Sequence, residues 1–254
     1  MSWNPEQYLK FAQPRLRPAL DLLARIDLPA PARIVDLGCG TGSITGLMAR
    51  RWPAAQITGV DDSAAMLERA RGEHPGIRWQ QQSMADWRAD EPVDLLFSNA
   101  ALHWLPDHPA LFASLIGQLA PGGVLAVQMP RNFSAPSHTA IADTVREGPW
   151  RARLEPLLKP LPVMEPAAYF EICSPLAADV DLWETEYLQV LTGQDPVKEW
   201  TKGTWLRQFL DALDEPQRSR FETDYAARVA RAYPPLPDGR TLFPFRRLFL
   251  IATR

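Results

Sequence analysis

Residues 33–42 read RIVDLGCGTG, a short apolar run from Arg33 to Leu37 that passes directly into Gly38-Cys39-Gly40-Thr41-Gly42. Five residues dominated by Ile, Val and Leu read as a buried strand. Three glycines within the next five residues mark a turn where the backbone, not a side chain, must approach something closely. Ser43 to Arg51 then reads as a helix that stops before Pro53. Strand, glycine turn and helix are the repeating unit of wound α/β sheets.

The same alternation extends outward. Upstream, Ala19, Leu22, Leu23 and Ile26 recur at helical spacing over Pro18 to Arg25, and the turn Pro29 to Pro31 ends that helix. Downstream come a strand over Gln56 to Val60, a helix over Ser63 to Gly72 that Ser63 could cap, and a strand over Ile77 to Gln81. Val93 to Ser98 is a fourth strand. A helix over Pro109 to Leu119 is closed by Pro121-Gly122-Gly123, and Val124 to Met129 is a fifth strand. Past Met129 the pattern loosens: one or two helices between Arg131 and Glu165, a strand over Val180 to Leu188, an amphipathic helical block over Pro196 to Ala232, and a closing strand over Arg247 to Ala252. The expectation is a doubly wound, mostly parallel, seven-stranded α/β sheet of Rossmann-like type with a helical cap over its ligand edge. Residues 1–254 would form one domain, with 131–170 and 194–236 as the cap insertions.

Composition narrows the function class. With 254 residues, 46% hydrophobic and 22% charged, the chain is an ordinary globular protein. Its net charge of −3 comes without a basic stripe, so no nucleic-acid partner is expected. A small anionic ligand needs only two or three local cations and is not excluded. Cys39 and Cys173 stand alone and far apart, which argues against a zinc site or a disulfide framework. No basic-then-apolar leader opens the chain and no apolar run approaches the ~20 residues that span a bilayer, so the expectation is a cytoplasmic protein with no membrane partner.

In an open α/β sheet, ligands bind outside the carboxyl ends of the strands. The glycine turn lies at that edge, where a helix N-terminus also presents free N–H groups. The dinucleotide fingerprint is G-x-G-x-x-G/A, but here Ser43 occupies the third position and Gly42 comes one residue early. An acidic residue, a spacer and then G-x-G-x-G is the pattern of S-adenosylmethionine (SAM) sites, and Asp36 through Gly42 fits it throughout. In that reading Gly38, Gly40 and Gly42 accommodate the methionine part, and Asp36 holds its ammonium. A mere tight strand–helix turn would also use these glycines, so the residues beyond it matter. Asp61 closes the second strand about 20 residues on, where a carboxylate can accept both ribose hydroxyls. Asp62 could serve the same ligand or cap the next helix. Ser83 and Met84 follow the third strand, beside the place of the adenine. Asn99, ahead of the small residues Ala100 and Ala101, offers a carbonyl to the polarised methyl region.

The combination VDLGCGTG, GVD, SNAALHWLPDH, PGGVLAVQMP and RLFLIATR, with the opening WNPEQYLKFAQPRLRPALDLLARI, resembles the trans-aconitate 2-methyltransferase family over essentially the full chain. The resemblance implies methyl transfer from SAM to a carboxylate of trans-aconitate, giving a monomethyl ester and S-adenosylhomocysteine. The family more often has an acidic residue where this chain has Ser83. A carboxylate with a pKa near ~4 is ionised at pH 7 and needs no general base. It needs alignment, and proximity alone can supply ~7–11 kcal/mol of a barrier. The expected acceptor site therefore has no essential base and no metal. Its donors would come from Tyr8, Arg15, Arg17, His103, Arg131, Lys202, Trp205 and Arg207, with His103 a weak candidate for a base. Alternatives at this stage are a SAM enzyme acting on another small acid, an acyl carrier or a hydroxyl, a SAM-binding module without turnover, and a dehydrogenase.

Overall fold

The computed structural model describes residues 12–158 and 163–254, with side chains from residue 16 onward in the first of these stretches. Its core is a seven-stranded sheet built from β1 (Arg33–Leu37), β2 (Gln56–Asp61), β3 (Arg78–Gln81), β4 (Val93–Asn99), β5 (Leu119–Pro130), β6 (Asp179–Leu191) and β7 (Thr241–Thr253), in the spatial order β3-β2-β1-β4-β5-β7-β6. The first five are parallel and β7 runs antiparallel to β5. The expected Rossmann-like sheet is present. Its order reverses at β1, the strand that carries the glycine turn.

Central parallel strands are covered on both faces and so read as unbroken apolar runs. Ile34 to Leu37 are all buried, as are Leu95, Leu96 and Phe97 of β4. The helices between them start where their residues allow. Ser63 accepts the N–H of Met66 and caps α3 (Ala64–Glu73), the helix after β2, as its sequence position suggests. The helices α1 (Ala12–Arg25) and α2 (Ser43–Arg51) precede it. Asp107 caps α4 (His108–Gly117) in the left-handed region, with φ 53°, followed by Pro109 at the first turn.

Several sequence boundaries move, each for a tertiary reason. Leu119 belongs to β5 and pairs with Val93, so Pro121-Gly122-Gly123 is an irregularity inside a strand rather than a helix terminator. There Gly122 and Gly123 exchange backbone hydrogen bonds with Arg254, and a Cβ on Gly123 would sit 2.8 Å from two carbonyl oxygens. The block 196–232 is three helices, α8 (Pro196–Lys202), α9 (Arg207–Asp211) and α10 (Gln217–Ala232). Ahead of them lie α5 (Pro136–Glu147), α6 (Arg151–Leu154) and α7 (Pro166–Cys173). Strands β6 and β7 both run longer than the segments 180–188 and 247–252 read from sequence.

The described residues form two compact units. One comprises 17–130, 163–185 and 247–254 and carries most of the sheet. In it α7 packs on α4 through Tyr169, which lies 5.0 Å from Phe112 and 2.5 Å from the Nδ1 of His108. The other comprises 12–16, 131–158 and 186–246. Its core gathers Trp150, Trp200, Phe209, Phe221, Tyr225 and Phe243, all almost fully buried. Tyr225 donates to the carbonyl of Ser137 at 2.8 Å, and Tyr233 accepts the N–H of the same residue at 3.2 Å, which ties α5 to the late helices.

Candidate active site

The chain leaves β1 at Leu37, and the N–H groups of Gly38 and Cys39 both donate to the carbonyl of Val60, at 2.8 and 3.1 Å. The turn is thereby clamped to the end of β2. Gly38 has φ +76°, and a Cβ there would lie 2.2 Å from the Cβ of Ala101 and 2.9 Å from the sulfur of Met84. Gly42 also has positive φ, and a Cβ there would lie 2.4 Å from the ring of Trp79. A Cβ on Gly40, whose φ is +56°, would meet nothing within 4 Å. The outer two glycines are thus required by packing, whereas Gly40 presents bare backbone to open space. Gly42 gives α2 no side-chain cap, so the helix N-terminus keeps N–H groups available for a ligand.

Asp36 is 2% exposed and receives the hydroxyl of Thr45 at 2.6 Å. Burial pushes its carboxyl up to about 7, the Thr45 hydrogen bond opposes the rise, and the nearby charge of Asp61 adds to it. An ionised Asp36 could hold a ligand's ammonium, whereas a protonated one could not. Binding of S-adenosylhomocysteine should therefore tighten as pH rises to about 7 and then level off. Between pH 5.5 and 7.5 the gain should be roughly 25-fold by linkage. Equal calorimetric affinities at those two pH values would remove this role from Asp36. Without ligand the sign reverses. The raised carboxyl binds its proton more tightly folded than unfolded, so its contribution to stability is full below pH 3.8 and is lost as pH climbs to about 7.

Asp61 accepts the N–H of Gly40 at 2.9 Å through one oxygen and that of Ser63 at 2.9 Å through the other. It links the glycine turn to the end of β2, and each oxygen keeps a lone pair for a hydroxyl. Burial raises its pKa, against the pull of those two N–H groups. Asp62 is exposed, and the helix cap belongs to Ser63. The Ser83 hydroxyl accepts the N–H of Ala85 at 3.2 Å, while Met84 backs Gly38. At the end of β4 the Asn99 Oδ1 is buried with no hydrogen-bond partner among the described residues. Ala100 turns the chain with φ +52°, and His103, 6% exposed, sits with its ring 4.6 Å from that of Trp104.

Asp36, Gly38, Gly40, Gly42, Asp61, Met84 and Asn99 thus come together at the carboxyl ends of β1, β2 and β4. A bare glycine backbone, an acidic residue on either side of it and an orphaned amide carbonyl fit the donor and acceptor pattern of SAM. Among the described residues no group of three His, Cys, Asp or Glu could hold a metal. Burial pushes the Cys39 thiol far above its ordinary value and that of Cys173 up to about 11, so neither is a ready nucleophile.

The acceptor candidates are more scattered. Arg17 has a side chain 71% exposed and lies 4.0 Å from Asp21. Arg131, directly after β5, lines a cavity of about 280 Å³ with Asn132, Glu186, Tyr233 and Arg246. Trp205 meets the edge of Phe133 at 5.6 Å. Arg207 pairs with Asp211 at 3.3 Å, and Lys202 with Glu222 at 2.5 Å. Tyr8 and the side chain of Arg15 lie outside the described residues. Sequence reasoning does not single out Thr45 or Trp79. Only Trp79 carried a signal, as a bulky ring on a short strand near two glycines.

The chain is similar to known proteins over its full length. The family described as "Methyltransferase domain" matches residues 34–123. The chain is 47% identical to the trans-aconitate 2-methyltransferase of Azoarcus sp. (strain BH72), over 100% of this chain and 99% of that one. It is 48% identical to the protein of the same name from Methylobacterium nodulans, over 99% and 98%. Among solved structures, a SAM-dependent methyltransferase from Thiobacillus denitrificans in complex with S-adenosyl-L-homocysteine shares the fold at TM-score 0.52 and 20% identity, covering 99% of this chain and 92% of that one.

Proposed function

The chain belongs to the trans-aconitate 2-methyltransferase family, and from that premise we propose that it methylates one carboxylate of trans-aconitate with SAM as the donor. The observation that carries this reading is identity at 47% over the whole chain, including the irregular residues past 130 that no general methyltransferase motif covers. When bound, SAM supplies an electrophilic methyl group: a carboxylate oxygen forms the new C–O bond as the C–S bond breaks, and the electron pair passes to sulfur.

In this reading Gly38 to Gly42 admit the methionine part, Asp36 holds its ammonium, and Asp61 accepts from the ribose. Asp62, Ser83 and Met84 flank the nucleoside. Asn99 faces the methyl region. The acceptor is ionised at pH 7 and no proton moves, so the protein's task is to orient it and exclude water. Arg131 is the best placed of the cations, because it is the first residue past the carboxyl end of β5.

Incubation with labelled SAM and a panel of di- and tricarboxylic acids, followed by mass analysis, should yield the monomethyl ester of trans-aconitate. Ester from another acid alone would remove this acceptor and leave the reaction class. His103→Ala tests the absence of a base. Turnover on trans-aconitate should stay within about tenfold, against the 10²–10⁴-fold loss of a general base. A larger loss, growing as pH rises and the imidazole deprotonates, would give His103 the proton-transfer role.

A further inference from the structure

Gln128 is 0% exposed, and both atoms of its side-chain amide lack a hydrogen-bond partner among the described residues. Native chains leave few buried amides unsatisfied, because such a group gives up its water and gains nothing in return. A second such atom lies beside it. Asn99 and Gln128 are register partners on the parallel strands β4 and β5, and the Asn99 Oδ1 is likewise buried and unpartnered among the described residues.

Strand geometry tells what this pair faces. Asp36 is in register with Phe97, and Asn99 follows Phe97 by two residues, so Asp36, Asn99 and Gln128 project from the same face of the sheet. All three stand near the carboxyl ends of their strands. Reading across, β1 holds the cofactor turn, β4 the methyl region, and β5 the next position away from the cofactor. Opposite Gln128 on β7 stands Phe249, its ring stacked on Trp183 at 4.8 Å. Asn99 is partly exposed, and neighbouring strands are only ~4.8 Å apart, so the Gln128 amide is within side-chain reach of Asn99.

We propose that Gln128 is an acceptor-binding residue, whose amide N–H holds the non-attacking oxygen of the reacting carboxylate beside Asn99. This rests on the carboxylate reading above. A neutral amide suits the task. It fixes one oxygen without the full positive charge that would draw electron density from the other, which must attack. It moves no proton and changes no charge during the reaction. It also distinguishes a carboxylate from a purely apolar acceptor group, since only the former satisfies the amide.

The test compares wild type with Gln128→Met, which keeps the length and removes the polar atoms. Its melting temperature should be unchanged or higher, because an unsatisfied amide is replaced by an apolar chain. S-adenosylhomocysteine affinity should stay within about twofold, and kcat/KM for trans-aconitate should fall roughly ten- to hundredfold, the range of one hydrogen bond to a charged group. Gln128→Glu, which sets a like charge against the acceptor, should fall further still. Gln128→Met with kcat/KM within twofold of wild type overturns the proposal. So does a parallel loss of cofactor affinity, which would give the amide to the cofactor. A drop of several degrees in melting temperature would make Gln128 a structural amide. Wild type that esterifies no carboxylic acid at all would instead overturn the underlying reaction, and this role with it.

Discussion

Gly38→Val should abolish cofactor binding and cost the protein several kcal/mol of stability. A side chain at φ +76° pays ~1–2 kcal/mol for the left-handed backbone alone. Its Cβ would then lie 2.2 Å from that of Ala101, and relief must come from the backbone at 100–101, which is itself held by the Ala100 N–H on the carbonyl of Gln128. Overpacking of that kind adds ~1–3 kcal/mol. At ~2–4 °C per kcal/mol for a chain of this size, the melting temperature should fall by roughly 5–15 °C. Gly40→Ala is the informative contrast. At φ +56° with nothing within 4 Å, its methyl group strains the backbone but clashes with no protein atom. That variant should fold with a smaller loss and still bind S-adenosylhomocysteine at least tenfold more weakly, because the methyl occupies the surface a ligand would use. Differential scanning fluorimetry and calorimetry on the pair separate the two effects. Wild-type affinity in Gly40→Ala would remove the open face of the turn from the cofactor site.

The second large effect is expected at Asp61. Its carboxylate already carries the N–H groups of Gly40 and Ser63, each at 2.9 Å, and in the proposed complex it also takes the ribose hydroxyls. Hydrogen bonds to a charged group are each worth ~1.5–3 kcal/mol. Asp61→Ala should therefore weaken S-adenosylhomocysteine roughly hundredfold or more and leave the Gly40 N–H without its acceptor. Asp61→Asn retains one carbonyl oxygen and should fall between. If Asp61→Ala binds like wild type, the ribose is held elsewhere. If binding of adenosine is unaffected while that of the full cofactor drops, the carboxylate acts only by shaping the glycine turn.

How much of this was legible beforehand depends on the range of the forces involved. The strand from Arg33 to Leu37, the glycine turn and the Ser63 cap were readable because apolar period, φ preference and capping are set within a few residues. The end of α4 was misplaced for a non-local reason: Leu119 pairs with Val93, 26 positions away in the chain, so the Pro-Gly-Gly that looks like a terminator sits inside β5. The late block is helical from its apolar spacing, which does not mark where one helix ends and the next begins. In the fold it divides into three helices, whose turns bring Trp200, Phe209 and Phe221 into one core. Of the candidate acceptor cations, sequence could name the types but not sort them. Arg17 is a mostly exposed side chain facing Asp21, while Arg131 lines a cavity.

By itself, then, the sequence determined the sheet, the nucleotide-like edge and the cofactor class, because these depend on local geometry written in RIVDLGCGTG and repeated strand by strand. Only the tertiary structure decided that Asp61 serves the glycine turn itself and that the Thr45 hydroxyl bonds the buried carboxyl of Asp36. It also decided that Gln128, an ordinary residue in an apolar run, is a buried amide in register with Asn99. Those facts arise from pairing between strands and helices distant in the chain, and a polar group's partners are settled by what folds against it rather than by its neighbours in sequence.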